Sequence, residues 1–183
     1  KSSELKQIES IYLKLSSNDI QKVKKIEKKI NHDVKAVEYF IKEKFEKIGL
    51  KKYKEFVHFG LTSQDINNTA TPLLFKDSLE NIFFPLIEVL ITKITELTKK
   101  WKNISMLART HGQAASPTKL GKEMRVFSKR LKTQYDFLKK IPHSGKFGGA
   151  TGNLNAHYIA FPKNNWHSFS KQFLHSLGLS RSY

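Results

Sequence analysis

Apolar residues recur along this chain at steps of three and four, the spacing of one helix face, and almost nowhere alternate at steps of two. The first long stripe opens at Ser17-Asn18-Asp19, a capping sequence, and carries Ile20, Val23, Ile26, Ile30, Val34, Val37, Ile41, Phe45 and Ile48 before Gly49 ends it. The spacing predicts one helix across that span. A second stripe begins after Thr71-Pro72 and runs through Leu79, Ile82, Phe83, Leu86, Leu90, Ile94 and Leu97 to Trp101. That is about 30 residues, or about 45 Å of helix, kinked near Pro85. Ser116-Pro117, a cap followed by proline at the first helical position, opens a third stripe through Leu120, Met124, Phe127, Leu131, Tyr135 and Leu138. A fourth, shorter stripe from about Asn164 to Gly178 carries Trp166, Phe169, Phe173 and Leu177, read as core. Long helices with single apolar stripes are not stable alone. The expected fold is therefore all-α, a long-helix antiparallel bundle with some stripe left for other copies of the chain.

Composition narrows the picture further. A chain of 183 residues, 39% hydrophobic and 27% charged, can bury a core and fits one domain, or one domain and part of another. It contains no run of about 20 apolar residues and its opening "KSSELKQIES" has no apolar signal-like segment, so a cytoplasmic protein with no membrane partner is expected. Cysteine is absent and the seven histidines form no HxxxH or HExxH pair, so no metal is expected. The net charge of +17 invites a nucleic-acid partner, because Lys and Arg release counterions from phosphate backbones. Against that, only four residues are arginine and the lysines are scattered in sequence as "QKVKKIEKK", "KKYKE" and "TKKWKN". A solvated lysine surface is the favoured reading, with steering of a small anionic substrate as a further one.

Four polar segments do not serve helix periodicity. "NHDVKAVE" sets Asn31, His32 and Asp33 on the first stripe, between Ile30 and Val34, as a solvent-facing turn of helix or as ligand contacts. "HFGLTSQDINN" offers Thr62 or Ser63 as a helix cap with Asp65 three residues on from Thr62, which reads equally as a capping box or as an anion site at a helix N-terminus. "GKFGGATGNLNAH" is a glycine-rich loop that matches neither GxGxxG nor a P-loop, and is either a connection or a binding loop. "LARTHGQAASP" places His111 among hydrogen-bonding neighbours in a loop longer than a turn requires, where an imidazole would serve as a general acid or base.

Together, "NHDVKAVEYF", "HFGLTSQDINN", "RTHGQAASPTKLGKEM" and "GGATGNLNAH" resemble the adenylosuccinate lyases, within the fumarase/aspartase superfamily of fumarate-releasing lyases, over about residues 20 to 178. The resemblance implies β-elimination of fumarate from adenylosuccinate, giving AMP, and from the succinyl-carboxamide imidazole ribotide of purine biosynthesis, with no cofactor. It implies His111 as the general acid, with Thr110 and Gln113 orienting it or the substrate, and Thr62 and Ser63 gripping the succinyl carboxylates. Asn31, His32 and Asp33 would line the nucleotide part of the site, with His32 close enough to tune His111. His58, Asn153 and Asn155 are weaker carry-overs. The resemblance further implies a homotetramer with shared active sites, residues 1–70 belonging to an N-terminal helical domain and 71–183 opening the central bundle. "GQAASP" departs from the more usual "GQPATP", and the family's serine loop with its SS-x-M-P-x-K-x-N pattern, source of the catalytic base, does not occur in these residues. The 183-residue chain by itself is therefore expected to be inactive. The rival readings are another fumarate-releasing lyase such as argininosuccinate lyase, and a non-catalytic basic helical module that binds nucleic acid.

Overall fold

In the computed structural model, which describes residues 2–182, the elements run α1 (Ser2–Leu13), α2 (Ser17–Ile30), α3 (Asp33–Lys47), a 3-10 segment (Lys51–Phe56) and α4 (Ser63–Ser78). A π-helical turn (Leu79–Phe83) leads into α5 (Phe84–Lys100), followed by strands β1 (Ser105–Thr110) and β2 (Gln113–Lys119) and by α6 (Leu120–Leu138). Then come β3 (Ser144–Gly145), α7 (Asn155–Ala160), α8 (Trp166–Ser176) and β4 (Ser180–Arg181). The contacts group these into two compact units, residues 1–72 with 144–183, and residues 73–143. The fold is helical, as the periodicity predicts.

In the first unit, Ser16 and Asp19 form a reciprocal capping box at the start of α2. The helix expected to run on to Gly49 instead breaks at Asn31, whose φ of 55° and ψ of 40° are left-handed. Asparagine tolerates that conformation better than most residues, and its N–H still reaches the Glu27 carbonyl at 2.7 Å. His32 then caps α3 by accepting from the Lys35 amide. α2 and α3 run back along each other, clamped by Lys22 on Glu43 and Lys44 on Asp19 (2.7 Å). α3 buries Val34, Ala36, Phe40 and Phe45.

α4 starts at Ser63, well before the expected Thr71-Pro72, and carries Pro72 in its interior. Residues 144–183, grouped by sequence with the long helices, pack with the first unit instead. Lys146 exchanges two hydrogen bonds with Thr69 of α4 (3.0 and 3.1 Å), and β3 pairs in parallel with β4. Leu154, Leu174, Leu179, His157 and Ser170 are almost wholly buried there. Around them lie the rings of Phe59, Phe147, Phe161 and Trp166, while Phe169 and Phe173, expected as core, remain 47% and 40% exposed.

In the second unit, the irregularity expected at Pro85 takes the form of the π turn just before it. Proline has no N–H to offer the carbonyl four residues back, and a widened turn absorbs the mismatch. α5 and α6 are antiparallel: Tyr135 meets Phe84 edge-on (5.4 Å, 89°) and donates to Glu88, while at the other end Gly121 lies against Thr98. A Cβ at Gly121 would sit 2.4 Å from the Thr98 carbonyl oxygen, so this close approach needs glycine. The third helix begins at Leu120, not at Ser116-Pro117, because residues 113–119 are drawn into β2. Leu74, Phe75, Ile82, Leu86 and Val89 form a stripe 61–68% exposed, uncovered among the described residues.

Candidate active site

The break between α2 and α3 brings His32 to the start of α4. The Lys35 amide donates to His32 Nδ1 (3.2 Å), which must therefore carry a lone pair; the proton of the neutral ring sits on Nε2, 3.3 Å from Ser63 Oγ. Ser63 thus accepts from the imidazole and keeps its own hydroxyl proton for an acceptor outside the chain. His32 is about half exposed on its ring side, and Thr62 precedes Ser63 at the same corner. Two segments separated by 31 residues in sequence are joined into one polar patch. Asn31 serves as the left-handed cap, and Asp33 turns its carboxylate onto the Val34 amide (2.7 Å).

Asp65 is where the expected capping box and the glycine-rich loop meet. Half of the box forms: Asp65 Oδ2 accepts from the Thr62 amide at 2.8 Å. The same carboxylate, 2% exposed, accepts from Gly148 N (2.8 Å), Gly149 N (3.0 Å) and Lys146 Nζ (2.7 Å). Gly149, at φ +78°, turns its amide inward, and Lys146 closes the loop on the Gly149 carbonyl at 2.7 Å. The loop's amides therefore hold an anion that belongs to the protein. Asn153 and Asn155 lie exposed beyond it, Asn153 bonded to Thr151, and neither hydrogen-bonds to His32, Thr62 or Ser63 among the described residues.

Behind this corner sits a charge cluster that sequence reading passed over. Glu38 on α3 is 6% exposed and accepts from Lys35 (2.9 Å), Lys42 (3.0 Å) and His58 Nδ1 (3.0 Å). Burial pushes its carboxyl up, but the hydrogen bonds from Lys35, His58 and Lys42 outweigh that and hold it at about 2. The flanking lysines at positions −3 and +4 were the available signal. His58 takes a left-handed φ of 64°, and its other nitrogen is buried without a partner. His157 is 1% exposed, ringed by Phe59, Phe147 and Trp166 and pressed on Gly60, and among the described residues neither nitrogen makes a well-formed hydrogen bond, the Phe59 backbone offering only a loose contact. Burial pushes its pKa down, opposed in part by the Phe59 backbone and the Asp65 carboxylate.

In the second unit the segment expected as a loop is a β-hairpin. β1 and β2 pair antiparallel with a bulge between Leu107 and Arg109, and His111-Gly112 is a two-residue turn closed by the Thr110–Gln113 pair. Both turn residues have positive φ (49° and 74°), as a type I′ turn demands. Arg109, Thr110, His111 and Gln113 are exposed, and the His111 ring makes no hydrogen bond among the described residues. The imidazole is presented at the exposed tip of the hairpin. Groups of three or more His, Asp or Glu disposed to hold a metal ion are absent among the described residues, and no helix there is long and apolar enough to cross a membrane.

The family described as Lyase matches residues 2–180. The chain belongs to this lyase family. Among proteins similar to this lyase chain, the adenylosuccinate lyase of Dictyostelium discoideum is 50% identical over 178 residues, covering 95% of the chain. The adenylosuccinate lyase of Buchnera aphidicola subsp. Schizaphis graminum is 45% identical over 173 residues, and that of Escherichia coli (strain K12) 43% over 173, each covering 94% of the chain. The chain spans 38% of the length of each of these relatives. The fold is shared with a fumarate lyase from Mesorhizobium sp. BNC1 (TM-score 0.79, 19% identity, 96% of this chain and 39% of that one). It is shared also with the β-carboxy-cis,cis-muconate cycloisomerase of Acinetobacter calcoaceticus sp. ADP1 (TM-score 0.72, 21% identity, 97% and 40%).

Proposed function

We propose that the full-length polypeptide carrying this chain is an adenylosuccinate lyase that acts in purine biosynthesis. It eliminates fumarate from adenylosuccinate, leaving AMP, and from the succinyl-carboxamide imidazole ribotide. The observation that carries this reading is 50% identity with a protein of that name across nearly the whole chain. In the reaction a proton leaves the carbon beside one succinyl carboxylate, the C–N bond breaks, and the departing nitrogen takes up a proton.

The geometry supports a division of labour. His111, exposed at a hairpin tip, serves as the general acid, with Thr110 and Gln113 across the turn positioning it or the substrate. Thr62 and Ser63, at the first turn of α4 where the helix dipole is positive, receive the succinyl carboxylates. His32 orients Ser63, and with Asn31 and Asp33 lines the nucleotide portion. His58 acts behind them through Glu38, while Asn153 and Asn155 belong to the rim. The catalytic base lies outside these residues. In this reading the protein is a cytoplasmic homotetramer whose copies share active sites, the uncovered stripe of α4 and α5 is an interface between them, and no metal or cofactor takes part.

The test is fumarate release by the full-length polypeptide given adenylosuccinate, argininosuccinate, aspartate and malate in parallel. Release from adenylosuccinate alone, reduced about 10²–10⁴-fold by His111→Ala, is the expected result. A folded protein silent on adenylosuccinate, or one indifferent to His111→Ala, would overturn the proposal. The isolated 183-residue chain should release none.

A further inference from the structure

Charge that is scattered in the sequence is gathered by the fold. Residues 91–132 hold eleven Lys and Arg against two Glu, more than half of the chain's excess of +17. In the structure much of this lies along one side of the α5–α6 pair, where two adjoining depressions of about 420 and 410 Å³ share Thr98 and Arg125. Their floor is made of small residues, Gly121, Ser128, Thr95 and Thr98, and their rim carries Lys99, Lys102, Lys119, Arg125 and Lys129. None of these five cations is paired with a carboxylate among the described residues. Lys122 and Lys132, also on the rim, are paired with Glu123 and Asp136. Neither depression has an acidic or aromatic residue in its lining.

We infer that this groove is a docking surface for the phosphate backbone of a nucleic-acid duplex, read by charge and shape and not by base. Three observations select that occupant. On α6, Lys122, Arg125, Lys129 and Lys132 fall at i, i+3, i+7 and i+10, a straight row about 15 Å long that suits an extended line of negative charge better than a single small anion. The floor hydroxyls are committed: Thr95 donates to the Ile91 carbonyl (2.7 Å), Thr98 to Ile94 (2.9 Å) and Ser128 to Arg125 (3.1 Å). They offer no donor template for one particular phosphate ester. The absence of aromatic rings removes the stacking platform that single strands use. On α5 the groove side is distinct from the apolar stripe: Leu86, Val89 and Leu90 lie about half a turn around the helix from Thr95, Thr98 and Lys99.

The test uses the full-length polypeptide and a fluorescein-labelled RNA duplex of roughly 20 base pairs and mixed sequence, followed by anisotropy across a salt series. Binding is expected with Kd about 10⁻⁵ M at physiological salt, and Lys99→Glu/Arg125→Glu/Lys129→Glu should flatten the salt dependence by about 2.7 logarithmic units per decade. Lys25→Glu/Lys28→Glu/Lys29→Glu, on α2, changes net charge equally and should leave the slope unchanged. Circular dichroism and fumarate release check that both variants remain folded. Absence of binding, equal weakening by the two triple variants, or displacement of the duplex by polyglutamate at matched charge as readily as by unlabelled duplex would each overturn the inference.

Discussion

Replacing Asp65 by alanine should loosen the first compact unit from its centre. The carboxylate accepts from the Thr62, Gly148 and Gly149 amides and from Lys146, tying the start of α4 to the glycine-rich loop. Truncation strands the Gly148 and Gly149 amides in a buried place, at about 1–3 kcal/mol for each unsatisfied donor. It also leaves the Lys146 ammonium, 18% exposed, with only the Gly149 carbonyl, and breaking such a pair typically costs about 3–5 kcal/mol. The two effects overlap because they concern the same acceptor, so about 4 kcal/mol is expected, a large share of a domain's usual 5–15 kcal/mol. Asp65→Asn keeps one carbonyl oxygen and should lose about half as much. The assay is urea unfolding of the full-length polypeptide by circular dichroism, with hydrogen exchange read at the Gly148 and Gly149 amides. A loss below about 1 kcal/mol with both amides still protected would refute the assignment of Asp65 as the pin.

Gly121→Ala should push α6 away from the Thr98 carbonyl and cost about 1–3 kcal/mol, seen as a lower unfolding midpoint; an unchanged midpoint would mean that the helices part without strain. His157 has a folded pKa below its ordinary 6.5, so it contributes stability that is complete above pH 6.5 and is lost as pH falls toward the folded value. His157→Phe should flatten the dependence of the urea midpoint on pH below 6.5, and an equally steep curve would place the proton elsewhere. Glu38, held at about 2 against an ordinary 4.5, contributes stability present above pH 4.5 and lost as pH falls toward 2. The difference in stability between the parent and Glu38→Gln should accordingly be widest above pH 4.5 and close near 2, which unfolding curves from pH 2 to 6 would show.

The long helices were legible because a period of three to four survives whatever packs against it, and the disturbance near Pro85 could be read locally from a proline inside the stripe. The misreadings share a cause: local signals with two meanings, decided by tertiary contacts. Ile30 and Val34 kept the helical period across a break that only Asn31's left-handed turn reveals. Ser116-Pro117 has the form of a helix start, yet pairing with β1 holds it extended. Thr71-Pro72 likewise looked like the boundary ahead of a helix, while α4 had already been started by the Thr62-Asp65 corner. Of the site, the residue types were visible but not their partners. His32 and Ser63 are brought together across 31 residues, and Asp65 reaches Gly149 across 84, distances over which no spacing rule operates.

The turn at His111 carries a consequence for how stability and chemistry trade against each other in this chain. A left-handed backbone strains an ordinary side chain by about 1–2 kcal/mol relative to glycine, and asparagine tolerates it better than histidine. Folding alone would have settled on Asn-Gly at this tip. His111→Gly and His111→Asn should therefore raise the unfolding midpoint of the protein while, if His111 is the acid, abolishing turnover. A residue whose removal makes the molecule sturdier and idle is retained for what it does to something other than the fold.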